Sequence, residues 1–144
     1  MYNEIINNIK EISNYKSFHL GIFSEPYLDY MLDGRKTIES RFSKKKTMPY
    51  EKISKDDIVI VKKSGGDVIA YFTIKEVLFF DLDKTNINEL KEKYAPELCV
   101  DDDFWHQKKD SKYATLIFID KLVKVKPFHI NKKGMSTWLI LKET

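Results

Sequence analysis

The sequence predicts an α+β fold, a small mixed β-barrel with flanking helices. Three observations carry this. Short runs rich in β-branched and aromatic residues recur along the chain. Helical patterns interrupt these runs instead of alternating with them. Tight turns join consecutive strands, which argues against a doubly wound parallel sheet with helical crossovers.

The elements follow in order. Ile5, Ile6, Ile9 and Ile12 recur at helical spacing and predict an amphipathic N-terminal extension over residues 1–16. Phe18 to Phe23 reads as a buried strand. Ser24-Glu25-Pro26 combines a capping hydroxyl, an early acid and an early proline, and starts a helix. That helix places Tyr27 over Met31 and Leu28 over Leu32, and Gly34 is suited to stop it at C′. Lys36 to Phe42 is a strand, with Thr37, Glu39 and Arg41 on one face and Ile38, Ser40 and Phe42 on the other. A lysine-rich loop with Pro49 leads to strands at Asp57–Lys63 and Val68–Phe80, joined by the turn Ser64-Gly65-Gly66-Asp67. Asn86 to Tyr94 is helical, with Asn86 and Glu89 at capping-box spacing. Asp101-Asp102-Asp103 opens a second short helix, its acids at the positive end of the dipole. Tyr113–Ile119, Leu122–Phe128 and Trp138–Leu141 supply the last strands.

Composition narrows the function classes. The 144 residues fit one domain spanning 1–144, with no repeat, low-complexity tract or linker. Net charge is only +3, which permits a nucleic-acid partner without demanding one. The single Cys99 excludes an internal disulfide and a Cys-rich zinc site, and it reads as a small apolar residue in a reducing compartment. His19, His106 and His129 show no helical metal spacing, so neither metal nor cofactor is expected. The first ten residues are too polar for a signal peptide and no apolar run approaches membrane-spanning length. A soluble, cytoplasmic protein is the expectation.

Of 25 basic residues only Arg35 and Arg41 are arginine, and both fall in Gly34-Arg35-Lys36-Thr37-Ile38-Glu39-Ser40-Arg41-Phe42. A guanidinium is a planar fork that binds carboxylate or phosphate in two places, a geometry lysine cannot copy. Lys36 sits where helix turns into strand, and Glu39 and Arg41 are neighbours on one face, about 7 Å apart along the strand. A structural Glu39–Arg41 salt bridge and a functional site account for this pair equally well.

At these residues the chain resembles a family. Pro26-Tyr27-Leu28 and Gly34 to Arg41 resemble the signature of ASCH domains, members of the PUA-like superfamily. Lys55-Asp56-Asp57-Ile58-Val59, Ser64-Gly65-Gly66, and the runs Asp103-Phe104-Trp105 and Lys109 to Leu116 resemble stand-alone bacterial members. The resemblance covers about residues 18–125. It implies a small β-barrel with flanking helices, and a cleft beside the signature strand that binds RNA or nucleotides. Some small bacterial members are amidohydrolases that deacetylate N4-acetylcytidine with a lysine, a threonine and a glutamate; others are described as ribonucleases. Lys36 matches the lysine of that set. The threonine position, three residues on, is Glu39 here; Thr37 stands two residues earlier, and Glu97 is a weak counterpart of the downstream glutamate.

The leading reading is an RNA- or modified-nucleoside-binding protein with Lys36, Glu39 and Arg41 at the floor of its cleft. A hydrolase acting on acylated cytidine or RNA is the alternative, with Glu39 as base, the Lys36 ammonium at the developing oxyanion and Thr37 orienting substrate. A protein-interaction module is the third. Arg41, Ser64, Gly65, Trp105, Lys109, Ser111 and Tyr113 are the substrate-binding candidates. Trp105 and Tyr113 interleave with lysines 108, 109 and 112, as base stacking plus phosphate contact requires. Trp105 reads equally as a core residue, Ser111 as a turn residue, and Ser64-Gly65 as a hairpin turn lacking the rest of a phosphate loop.

Overall fold

A computed structural model describes residues 1–10, 12 and 17–142. Among these, four helices surround a single six-stranded mixed sheet that curls into a half-barrel, an α+β fold. The strands are β1 (Phe18–Phe23), β2 (Ile38–Ser43), β3 (Ile58–Lys63), β4 (Val68–Asp81), β5 (Tyr113–Phe128) and β6 (Trp138–Lys142), in the order β2-β5-β4-β3-β1-β6. Only β1 and β3 pair in parallel; the other ladders are antiparallel. The helices are α1 (Tyr2–Asn8), α2 (Tyr27–Leu32), α3 (Ile87–Leu98) and α4 (Asp102–Lys108).

Both faces of the central strands are covered. Along β3, Val59 and Val61 join Phe23, Phe72, Ile74 and Trp138 on one side. Ile58 and Ile60 join Ile5, Ile9, Ile12, Phe18 and Leu20 on the other. The period of two thus feeds two cores from one strand, and α1 lies over the second. A third cluster, with Ile38, Leu90, Leu98, Trp105 and Leu116, fixes α3 and α4 against β2 and β5.

Three expectations are corrected. The N-terminal helix ends at Asn8 rather than running to residue 16; of the expected extension, Glu11 and residues 13–16 lie outside the described residues. The strands expected at Tyr113–Ile119 and Leu122–Phe128 are one strand, β5. Asp120 and Lys121 form no turn, because β4 continues alongside them. Ile74 pairs with Ile119 and Thr73 with Lys121, so Asp120 is accommodated as a bulge. Finally, α3 runs past Tyr94 to Leu98, with Pro96 in its last turn and Cys99 at its left-handed C-cap. That extension carries the Glu97 and Leu98 carbonyls to the signature segment.

At the start of α2 the Ser24 hydroxyl does not cap. The Glu25 carboxylate accepts the Asp29 N–H at 2.8 Å instead. Gly34 follows the Asp33 C-cap with φ +88°, the left-handed conformation that turns the chain into β2.

Candidate functional site

The site is built where the two ends of the sheet approach each other. Arg41 on the terminal strand β2 reaches across to β1, donating from Nη2 to the Ile22 carbonyl at 2.8 Å. Its Nη1 lies 3.4 Å from the Thr137 carbonyl just before β6. The guanidinium carbon lies 4.9 Å from the Phe23 ring centroid and 5.1 Å from that of Trp138. These rings leave no room beside Gly21, where a Cβ would lie 2.6 Å from Phe23 Cε2 and 2.9 Å from Trp138 Cζ3. Arg41 therefore latches the half-barrel with a planar cation held against aromatic rings.

Glu39 is fixed from both sides. Its Oε2 accepts from Arg41 Nη2 at 3.2 Å and its Oε1 accepts the Ser40 N–H at 2.9 Å. Lys36 Nζ stands 3.7 Å from Oε1, donates to the Leu98 carbonyl at 2.6 Å, and lies 5.4 Å from the centre of the Tyr27 ring. Lys36 is only 3% exposed. Burial lowers its pKa, and the Glu39 charge opposes that shift. Burial raises the Tyr27 phenol, as do the carboxylates of Asp101 and Asp103.

Lys36, Glu39 and Arg41 line a cavity of about 240 Å³ that opens to the surface. Ser24, Tyr27 and Phe104 help to wall it, together with Ser40, Lys108 and Thr137. A buried cation, a carboxylate held in one orientation and two aromatic side chains suit a flat polar ligand. The Lys108 ammonium lies 5.4 Å from the Phe104 ring centre. Sequence reasoning did not place Ser24, Tyr27, Ser40, Phe104, Lys108 or Thr137 here. Tyr27 and Phe104 stood inside the signature runs and Lys108 inside the basic patch, so part of the signal was present. Thr137 had none.

The other candidates lie elsewhere. Thr37 precedes the first residue of β2, so the strand alternation does not reach it. Its N–H donates to the Glu97 carbonyl at 3.0 Å and its carbonyl accepts the Ile119 N–H at 3.0 Å. Thr37 and Glu97 line a second cavity, without Lys36. The end of α3 thus serves both cavities: the Leu98 carbonyl holds the Lys36 amine and the Glu97 carbonyl holds the Thr37 backbone.

Ser64 and Gly65 form the β3–β4 turn, where the Ser64 N–H donates to the Phe23 carbonyl at 2.9 Å. Gly65 faces His129 and Asn131 across a separate depression. Trp105 is buried in the third core cluster, edge-on to Phe42 and Phe104. Lys109 and Ser111 line a depression beside the start of α3. Tyr113 packs on Tyr50 with ring centroids 4.9 Å apart. Arg35 is exposed and pairs with Asp33.

No described helix is long and apolar enough to cross a membrane. Among the described residues, no group of three or more His, Cys, Asp or Glu is arranged to hold a metal ion.

Comparison with known proteins bears on this geometry. The family model for the ASCH domain matches residues 22–133. The crystal structure of ASCH from Zymomonas mobilis superimposes with a TM-score of 0.70 at 13% identity, covering 87% of each chain. Two mutant forms of that protein give TM-scores of 0.69 and 0.71, again at 13% identity. They cover 87% and 88% of this chain, and 90% and 89% of theirs. No curated protein matches the sequence.

Proposed function

The chain belongs to the ASCH domain family, and from that premise we propose that its Lys36–Glu39–Arg41 cavity binds RNA or a modified nucleoside. One observation carries the reading. A desolvated lysine and an oriented carboxylate lie at the floor of a cavity walled by Tyr27 and Phe104, with Lys108 beside Phe104. A nucleobase offers a flat π-face to such rings and hydrogen-bonding groups to such a floor. A phosphate attached to it would meet Lys108. Arg41 serves this cavity chiefly by holding Glu39, because Ile22 and Glu39 already take its best-placed donors.

The test is binding of a short single-stranded RNA, followed by fluorescence anisotropy across a salt series. Saturable binding that weakens with salt, and that Lys36→Met or Glu39→Gln reduces, is the expected result. Binding that both variants leave intact would remove the assignment.

A second reading, hydrolysis of acylated cytidine, draws on the buried Lys36 amine 3.7 Å from the oriented Glu39 carboxylate. Glu39 would take a proton from water as its oxygen bonds to the acyl carbon, and Lys36 would stabilise the resulting oxyanion. The carbon–nitrogen bond would then break, and the departing amine would recover the proton. Ser24 and Ser40 line this cavity and Thr37 does not, so a substrate-orienting hydroxyl would come from them. Acetate release from N4-acetylcytidine tests it. Full turnover in both Lys36→Ala and Glu39→Ala would exclude these roles.

A further inference from the structure

Thr37 and Glu97 meet in a second cavity, of about 320 Å³, whose contents point to a ligand of its own. Its aromatic side is Tyr94 and Phe118, edge to face with centroids 5.9 Å apart. Lys75 from the bulged part of β4 and Lys93 from α3 also line it. The Lys93 ammonium lies 5.3 Å from the Tyr94 ring centre. Among the described residues, neither lysine is ion-paired with a carboxylate. Glu97 contributes the cavity's carboxylate, so its lining carries two cations against one anion.

We propose that this second cavity binds an amino-bearing nucleotide, either free or as one residue of an RNA chain. Each part of such a ligand has a counterpart in the lining. The phosphate is attracted by Lys75 and Lys93, neither of which is ion-paired with a carboxylate among the described residues. The base presents its face to an aromatic wall. The exocyclic amine of cytosine or adenine donates to a carboxylate, as Glu97 can accept. The Thr37 hydroxyl can donate or accept, its backbone being pinned to Glu97 and Ile119. A volume near 300 Å³ is at the small end of ligand sites and suits one nucleotide better than an extended segment. This inference rests on its own lining residues and stands apart from the Lys36 cavity.

The test is NMR titration of the full chain with CMP, UMP, benzoate and a short cytidine-rich oligonucleotide. Saturable shifts at Thr37, Tyr94 and Phe118 with CMP identify a free nucleotide. The same shifts with the oligonucleotide alone identify an RNA residue. CMP should bind several-fold tighter than UMP, which lacks the amine, and Glu97→Gln should narrow that difference. The Lys75→Ala/Lys93→Ala double variant changes two exposed side chains and should fold normally, while weakening CMP about tenfold. Lys108→Ala, at a residue that lines only the first cavity, should weaken shifts there and leave these intact, so failure of either site is read separately. The proposal is overturned if neither CMP nor the oligonucleotide gives saturable shifts at Tyr94 and Phe118. It is equally overturned if the double lysine variant binds as wild type, or if benzoate matches CMP.

Discussion

Arg41 donates to the Ile22 carbonyl at 2.8 Å, and that bond joins β2 at one end of the sheet to β1 near the other. The same nitrogen reaches Glu39, so closure of the half-barrel and orientation of the site carboxylate depend on one guanidinium. A lysine ammonium could satisfy one of these acceptors but not all of them, and it would lose the flat contact with Phe23 and Trp138. Arg41→Lys should therefore lower stability by about 2 kcal/mol, several degrees in Tm for a chain of this size. Arg35→Lys, at an exposed pair with Asp33, should leave Tm unchanged within error. Equal Tm values for the two variants in thermal denaturation would refute the latch.

Lys36 gives the protein a recognisable alkaline signature. Burial lowers its pKa in the folded state below the ordinary lysine value of 10.5. Between the lowered value and 10.5 the unfolded chain binds more protons than the folded one. Stability from this residue therefore rises with pH across that window. Lys36→Met lacks the titrating group, so its unfolding free energy should show a smaller rise, or a steeper fall, as the pH approaches 10.5 from below. Urea denaturation at a series of pH values measures the difference. Parallel pH profiles for wild type and variant would contradict the desolvated amine.

How much of this was legible in the sequence depended on how local each cause was. Lys36, Glu39 and Arg41 lie within six residues, and strand alternation from Glu39 to Arg41 held. Thr37 escaped because its position is fixed by backbone bonds to Glu97 and Ile119, which no periodicity reveals. The latch escaped for the same reason: the acceptors of Arg41 are 19 and 96 residues away in the chain. Asp120-Lys121 looked like a turn, yet a long partner strand absorbed it as a bulge. The fold class, set by many short strands and few helices, survived these errors because it rests on pattern rather than on any one junction.

The two tryptophans separate packing from hydrogen bonding. The Trp138 indole N–H donates to His19 Nδ1 at 3.3 Å, which leaves His19 Nε2 to donate to Asp57 at 2.8 Å. The indole N–H of Trp105 is buried and has no hydrogen-bond partner among the described residues. Replacement by phenylalanine leaves space at either site. At Trp138 it also removes the donor from a buried chain that ends on Asp57. Trp138→Phe should therefore cost about 1–2 kcal/mol more than Trp105→Phe. Chemical denaturation of the two variants decides it, and a larger loss at Trp105 would contradict the assignment.

Lys108 and Lys109 are adjacent in sequence but face different ground, and RNA binding should tell them apart. Lys108 lines the Lys36 cavity beside Phe104, where a phosphate attached to a bound base would release a counterion on contact. Lys109 lines the depression near the start of α3, away from that cavity. Lys108→Ala should weaken binding of single-stranded RNA several-fold and reduce the slope of log affinity against log salt by about one. Lys109→Ala removes the same formal charge from the chain, so it controls for long-range attraction. It should change the affinity less and leave the slope nearly unchanged. Anisotropy titrations at four or more salt concentrations would measure both. If the two variants shift the slope equally, the RNA is held by diffuse surface charge, and the cavity is not where its phosphates are read.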